Sequence, residues 1–177
     1  MKRLIAYNGI IILFSFPFIG LTQNKYPVTK AYAYQQKVSG GINKKGIDAN
    51  GKLIKLPSSG INYFLYLEYN PEKQITINNI WIKGVSYNFE TEKITSPVVI
   101  ERSIKLGTKT DADTLVSPSK NEIIGIQPGQ INNTVKTTNY IKRLIQNNDV
   151  LFVYRCKGKT YYLAVKSFKQ LAEEIRK

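Results

Sequence analysis

From Ile61 to Tyr69 the chain sets Ile61, Tyr63, Leu65, Leu67 and Tyr69 at alternate positions, with Phe64, Tyr66 and Glu68 between them. Side chains of an extended strand alternate between its two faces, so this segment presents one wholly apolar face and one largely aromatic face. Such aromatic and β-branched content fits a sheet with both faces covered. The same period of two recurs along the chain. Asn70-Pro71-Glu72-Lys73 reads as a turn. Ile75 and Ile77 then start a strand that slips at Asn78-Asn79 and resumes with Ile80 and Ile82 around Trp81, the pattern of a bulge. Val85 to Phe89 and Ile94 to Ile104 continue in strand fashion, with Pro97 at an edge or a strand start. A short strand from Glu122 to Gln127 ends before Pro128-Gly129.

The clearest pairing lies near the C-terminus. Val150 to Cys156 and Lys159 to Val165 form a hairpin across Lys157-Gly158, with Gly158 suited to a primed two-residue turn. That register sets Phe152 by Leu163 and Tyr154 by Tyr161 on one face and Leu151, Val153, Tyr162 and Ala164 on the other; both faces are apolar, so the hairpin is expected to be central. Val28 to Val38 also alternates, whereas residues 40–57 suggest turns and an irregular hairpin. Two segments break the period. Tyr140, Ile141, Leu144 and Ile145 recur at helical spacing and predict a short helix near 139–147. Ser167 and Gln170 have the spacing of a capping box, and Phe168, Leu171, Ala172 and Ile175 form a helical stripe, predicting a C-terminal helix over 168–176. The expected fold is therefore mainly β, a β-sandwich-like or twisted antiparallel sheet, with these two helices.

Ahead of this domain, Lys2 and Arg3 precede an uncharged run from Leu4 to Leu21, the layout of an export signal, with cleavage expected between Thr22 and Gln23. An uncleaved anchor is the alternative, weakened by Asn8, Gly9, Pro17 and Gly20. The expected organisation is a signal peptide over 1–22 and one β-rich domain over 23–177, with no transmembrane segment after cleavage. Residues 106–121, the longest polar stretch, are expected to form a mobile loop.

The chain contains no histidine and one cysteine, Cys156. Ser-His-Asp and Cys-His catalysis, HExxH zinc sites and cysteine-rich metal clusters are thereby excluded, and no cofactor or metal is expected. Cys156 alternates with Val150, Phe152 and Tyr154, so a buried hydrophobic role is expected for it. Gly158-Lys159-Thr160 lacks the first glycine of a phosphate loop, and Ser117-Pro118-Ser119-Lys120 lacks the companion motifs of the SxxK enzymes. Carboxylates are the remaining acid and base candidates: Glu68, Glu90, Glu92, Glu101, Asp111 and Asp113. Among the aromatic rings Phe64, Tyr66 and Tyr69, Glu68 would have a raised pKa; an exposed glutamate on a strand face is the other reading. Asp111 and Asp113 lack the rest of a calcium loop.

Charge is uneven. Residues 23–57 carry seven lysines against Asp48, residues 58–135 are near balance, and residues 136–177 carry ten bases against three acids. If the two ends meet, they form a surface attractive to anionic glycans or lipid headgroups; scattered lysines that maintain solubility are the simpler reading. Trp81, flanked by Ile80 and Ile82 pointing the other way, could stack on a sugar ring if it faced solvent, with Tyr66 and Glu68 as further candidate ligand contacts. Burial beneath a second cover is the alternative for Trp81.

The signal segment followed by Gln23, the Ile-, Lys-, Asn- and Tyr-rich strands, Trp81-Ile82-Lys83-Gly84 and the hairpin from Tyr154 to Tyr162 together resemble small secreted proteins of Bacteroidota. The resemblance implies an exported, periplasmic or secreted, β-rich protein and no activity. Asp113-Thr114-Leu115 resembles the O-glycosylation acceptor of exported proteins in that group, which would make Thr114 the modified residue. The functional expectation is a non-enzymatic envelope protein with a binding or structural role, its partner an envelope protein or an anionic glycan and not nucleic acid. A carbohydrate- or polyanion-binding module is the first alternative, and a carboxylate-based hydrolase the second.

Overall fold

The computed structural model describes residues 26–40, 45–47, 53–55, 59–101 and 112–176. The segment expected to be an export signal, Asp111 and the first part of the expected 106–121 loop lie outside them. Eight strands form one sheet: β1 (Val28–Gly40), β4 (Ser59–Tyr69), β5 (Ile75–Ile82), β6 (Val85–Ile94), β9 (Glu122–Ile131), β10 (Val150–Cys156), β11 (Lys159–Val165) and β12 (Lys169–Arg176). Two hairpins stand apart from it, β2 (Lys45–Ile47) with β3 (Leu53–Lys55), and β7 (Val98–Glu101) with β8 (Ala112–Val116). One helix, α1, covers Asn139–Asn147. The fold is mainly β.

Strand order is β11-β10-β5-β6-β9-β4-β1-β12, antiparallel except for the parallel pair β1 and β12. The sheet curls until its ends approach, with β11 lying near β1. Leu65 and Leu67 of β4, Ile80 and Ile82 of β5, Ile124 and Ile126 of β9, and Phe152 and Tyr154 of β10 fill the inside of the curl. These are the alternate positions of each strand, so the period of two places one apolar set inward. The intervening residues face outward and are covered in two places.

Both two-residue hairpin turns are Lys-Gly. Lys83 and Gly84 have φ of 48° and 83°, and Lys157 and Gly158 have φ of 48° and 76°. Positive φ at both central residues defines the primed turn whose twist matches that of paired strands. The β10–β11 register is the expected one, with Phe152 opposite Leu163 and Tyr154 opposite Tyr161, but the hairpin is not central: β11 ends the strand order, and its approach to β1 across the curl accounts for its inward apolar face. The bulge also falls as expected: along β10 the partner passes from Asn79 to Ile77, so Asn78 is skipped.

Three expectations are corrected. The segment after Ser167 is not a helix but β12, hydrogen-bonded to β1 from Tyr34 to Gly40. Its stripe is shorter than an isolated helix needs for stability, and the bare edge of β1 offers backbone partners instead. Asp149, not Ser167, organises its entry by accepting from the Phe168 amide at 3.1 Å. Within the expected loop 106–121, Ala112–Val116 is strand β8, with Leu115 and Val116 buried. Finally, β9 runs through Pro128-Gly129 to Ile131.

Candidate functional site

Trp81, offered as a solvent-facing platform, is 2% exposed. It lies on the outer sheet face beside Leu151 and Val153, under Ile141, Leu144 and Ile145 of α1. The helix forms here because Thr138 caps it, its hydroxyl accepting from the Ile141 amide, and because its apolar stripe has this surface to cover.

Tyr66 and Glu68 share the outer face of β4 and are also buried, beneath the β7–β8 hairpin. Glu68 is neither exposed nor raised in pKa. Its Oε2 accepts from the Tyr32 hydroxyl at 2.7 Å, and its Oε1 accepts from Ser119 Oγ and Asn121 Nδ2, each at 2.8 Å. Lys30 Nζ lies 4.0 Å away. Burial alone would raise the carboxyl pKa, but the hydrogen bonds from Asn121, Tyr32 and Ser119 outweigh it and hold the group below its ordinary range. Burial and the bond to Glu68 push Tyr32 up to about 12. Through these bonds the carboxylate pins the Ser119–Asn121 stretch to the sheet. Thr114, the proposed O-glycosylation position, is exposed on β8.

Trp81, Tyr66 and Glu68 are therefore not one site. The strands carrying them, β5 and β4, are separated by β6 and β9.

A cleft of about 690 Å³ opens elsewhere, where β4 and β9 part. They pair from Tyr69 and Glu122 to Leu65 and Ile126 and no further. Beyond that point β4 continues to Ser59 against β1, and β9 continues to Ile131 against β6. Pro128 has no N–H to donate, and the β6–β9 ladder is irregular beside it, between Tyr87 and Phe89. Proline inside a strand is compatible with a bulge or an edge, and here it has both. Phe64, Tyr63, Asn62 and Tyr66 line one side of the cleft; Glu90, Glu92 and Gln127 line the other. Of the carboxylates considered from sequence, Glu90 and Glu92 are the only ones among the described residues that meet in this cleft. They occupy one face of one strand, so they approach a ligand from the same side. Glycoside hydrolysis requires an acid and a nucleophile or base on opposite sides of the scissile bond. This arrangement suits hydrogen bonding or pairing with a cation. The cleft was legible in sequence only through Pro128-Gly129, which reads as a strand end.

The second exposed feature is electrostatic. β12 lies against β1, so the two basic ends of the domain do meet, but Lys37 there pairs with Glu173 at 3.4 Å. The unbalanced charge surrounds α1, β10 and β11. Residues 136–166 include seven lysines and arginines, all exposed, against Asp149, which serves the Phe168 amide. Tyr140 of α1 and Tyr162 of β11, 55% and 42% exposed, meet edge to face among these bases, ring centroids 5.2 Å apart.

Among the described residues no group of histidine, cysteine, aspartate and glutamate could hold a metal ion, and no helix is long and apolar enough to cross a membrane. Compared with protein families, curated proteins and solved structures, the chain matches none.

Proposed function

We propose that the chain is an exported, non-enzymatic binding protein of the cell envelope that holds an anionic glycan against the α1–β10–β11 end of its sheet. The observation that carries this reading is the pairing of seven exposed bases and one internally engaged acid with an exposed tyrosine pair. Lysine and arginine supply charge-assisted hydrogen bonds to sulfate, phosphate or carboxylate groups. The tyrosines supply an apolar, hydroxyl-tipped surface on which a sugar ring packs. Mounting the bases on a helix and a tight hairpin fixes their spacing before the ligand arrives, which lowers the entropic cost of binding.

The test is retention on an immobilised sulfated glycan compared with a plain sulfonate exchanger of equal charge density. Replacing Lys142, Arg143 and Arg155 together with alanine is expected to lower the salt needed for elution from the glycan, and Tyr162→Ala is expected to lower it on the glycan but not on the exchanger. Equal behaviour of Tyr162→Ala on both matrices, or no effect of the triple replacement, would show that the surface is only solubilising charge.

A further inference from the structure

The β4–β9 cleft combines features that converge on one class of ligand, independently of the basic end. Among the described residues, the β4 backbone from Ser59 to Phe64 pairs with β1 on one side and has no ladder partner on the side facing the cleft. A free strand edge carries a row of unpaired N–H and C=O groups, the template used when an extended peptide adds to a sheet. The opposing edge of β9 is the poorer template, because Pro128 removes a donor.

The walls also specify side chains. Alternation along β4 directs Tyr63 toward the interior, whereas Phe64 faces outward on the side of Tyr66. Across the cleft Ile126 continues the interior wall. On the outer wall Glu92 lies in register with Gly125, itself opposite Tyr66, and Glu90 lies in register with Gln127. A strand seated beside Ser59–Phe64 therefore has apolar surface on its inner side and, at the end nearest Leu65, Glu90 on its outer side, with Glu92 about 7 Å further along β6 where β4 and β9 are still paired.

We infer that this cleft accepts an extended peptide segment with alternating apolar and basic side chains, which adds to the free edge of β4 and places the basic side chain at its inner end between Glu90 and Glu92. Main-chain hydrogen bonds supply affinity that is independent of sequence, and the two walls select the alternation. The acidic rim is the opposite of the basic α1–β10–β11 end, so a cationic peptide is steered to the cleft and away from that end.

The test uses the purified protein and a capped hexapeptide of alternating lysine and valine, with binding followed by backbone amide shifts. Saturable binding is expected, with shifts concentrated in Ser59–Phe64 and Gln127–Ile131. Glu90→Gln combined with Glu92→Gln is expected to weaken it by about tenfold, the scale of losing charge-assisted contacts. A peptide methylated at alternate amide nitrogens, which removes strand donors, is expected to bind at least about tenfold more weakly. Gln127→Lys, an exposed position, is expected to weaken the lysine peptide and leave thermal unfolding unchanged. Absence of binding at millimolar peptide, affinity insensitive to either the glutamate replacements or N-methylation, or equal binding of a glutamate-valine peptide would each overturn the inference. Retention on sulfated glycan is unaffected by these outcomes, so the two sites fail or stand separately.

Discussion

Helix α1 and the β7–β8 hairpin cover different stretches of the same outer sheet face by different physical means. Beneath α1 the contact is apolar: Trp81, Leu151 and Val153 meet Ile141, Leu144 and Ile145. Beneath the hairpin an apolar cluster of Tyr34, Tyr66, Leu115, Val116 and Ile123 is bordered by the buried carboxylate of Glu68. The Tyr34 hydroxyl donates to the Leu115 carbonyl at 2.6 Å, and Ser119 and Asn121 donate to Glu68. A nine-residue helix bonds its central backbone groups internally and takes a cap from Thr138, so its position is set mainly by an apolar seat. An irregular segment such as Ser117–Asn121 has no ladder of its own, so its position must be specified by side-chain hydrogen bonds. The first cover is held by area; the second is also held by geometry.

Trp81→Ala tests the area-held cover and carries the largest expected effect. Removing a fully buried indole costs about 3–5 kcal/mol through lost transfer energy and the cavity left behind. Urea unfolding is expected to show a loss in this range, with amide exchange rising first in α1. A loss below about 1 kcal/mol would mean that the helix is not seated on Trp81 as described.

Glu68→Ala tests the other cover. It leaves the Tyr32, Ser119 and Asn121 donors beneath the hairpin without their acceptor, at about 1–3 kcal/mol, more where a charged acceptor is lost. Glu68→Gln keeps the shape and one acceptor, so its loss is expected to be smaller. Exchange should rise in β8 and in Ser117–Asn121 while α1 stays protected. Loss of protection in both places would dissolve the distinction between the covers.

The two covers also differ in pH response. The folded-state pKa of Glu68 is depressed below the ordinary value of 4.5, so its contribution is fully present above that value and is lost as pH falls through the folded pKa. The difference in stability between wild type and Glu68→Gln is therefore expected to be constant above about pH 5 and to shrink on further acidification. Trp81→Ala should cost the same at pH 7 and pH 4. Parallel acid profiles for wild type and Glu68→Gln would remove the carboxylate from the account.

This contrast also marks how far the sequence could be read. The interior strands were legible because each has one face that alternation makes apolar, and the Lys157-Gly158 turn fixed the register of its hairpin. Helix α1 was legible for the same reason, in its own period. Glu68 was not, because its partners Tyr32, Ser119 and Asn121 lie at least 36 residues away along the chain. The environment of a polar residue is set by topology, and a strand's own aromatic neighbours do not report it. The segment 168–176 misled in the other direction: its helical spacing is real, but the vacant edge of β1 outweighed a weak local preference. The cleft escaped notice because Pro128 signals a strand end locally, whereas here it marks the point at which one neighbour leaves and the other stays.

The smallest expected effect separates stability from function at the outer surface of the area-held cover. Tyr140 belongs to α1 but points away from its apolar stripe, meeting Tyr162 edge to face at 5.2 Å. Such a pair contributes about 0.5–1.5 kcal/mol beyond its area, and at an exposed site Tyr140→Ala should fall at or below the lower end of that range. If the pair is a seat for a sugar ring, elution from sulfated glycan should shift to lower salt while the unfolding midpoint scarcely moves. Tyr140→Phe, which keeps the ring and removes only the hydroxyl, should restore most of the retention, because packing against the ring supplies the larger part of the contact. A midpoint shift as large as that of Trp81→Ala would instead make the tyrosine pair part of the seam that holds the helix. Unchanged retention in Tyr140→Ala would leave the anionic ligand to the lysines and arginines alone.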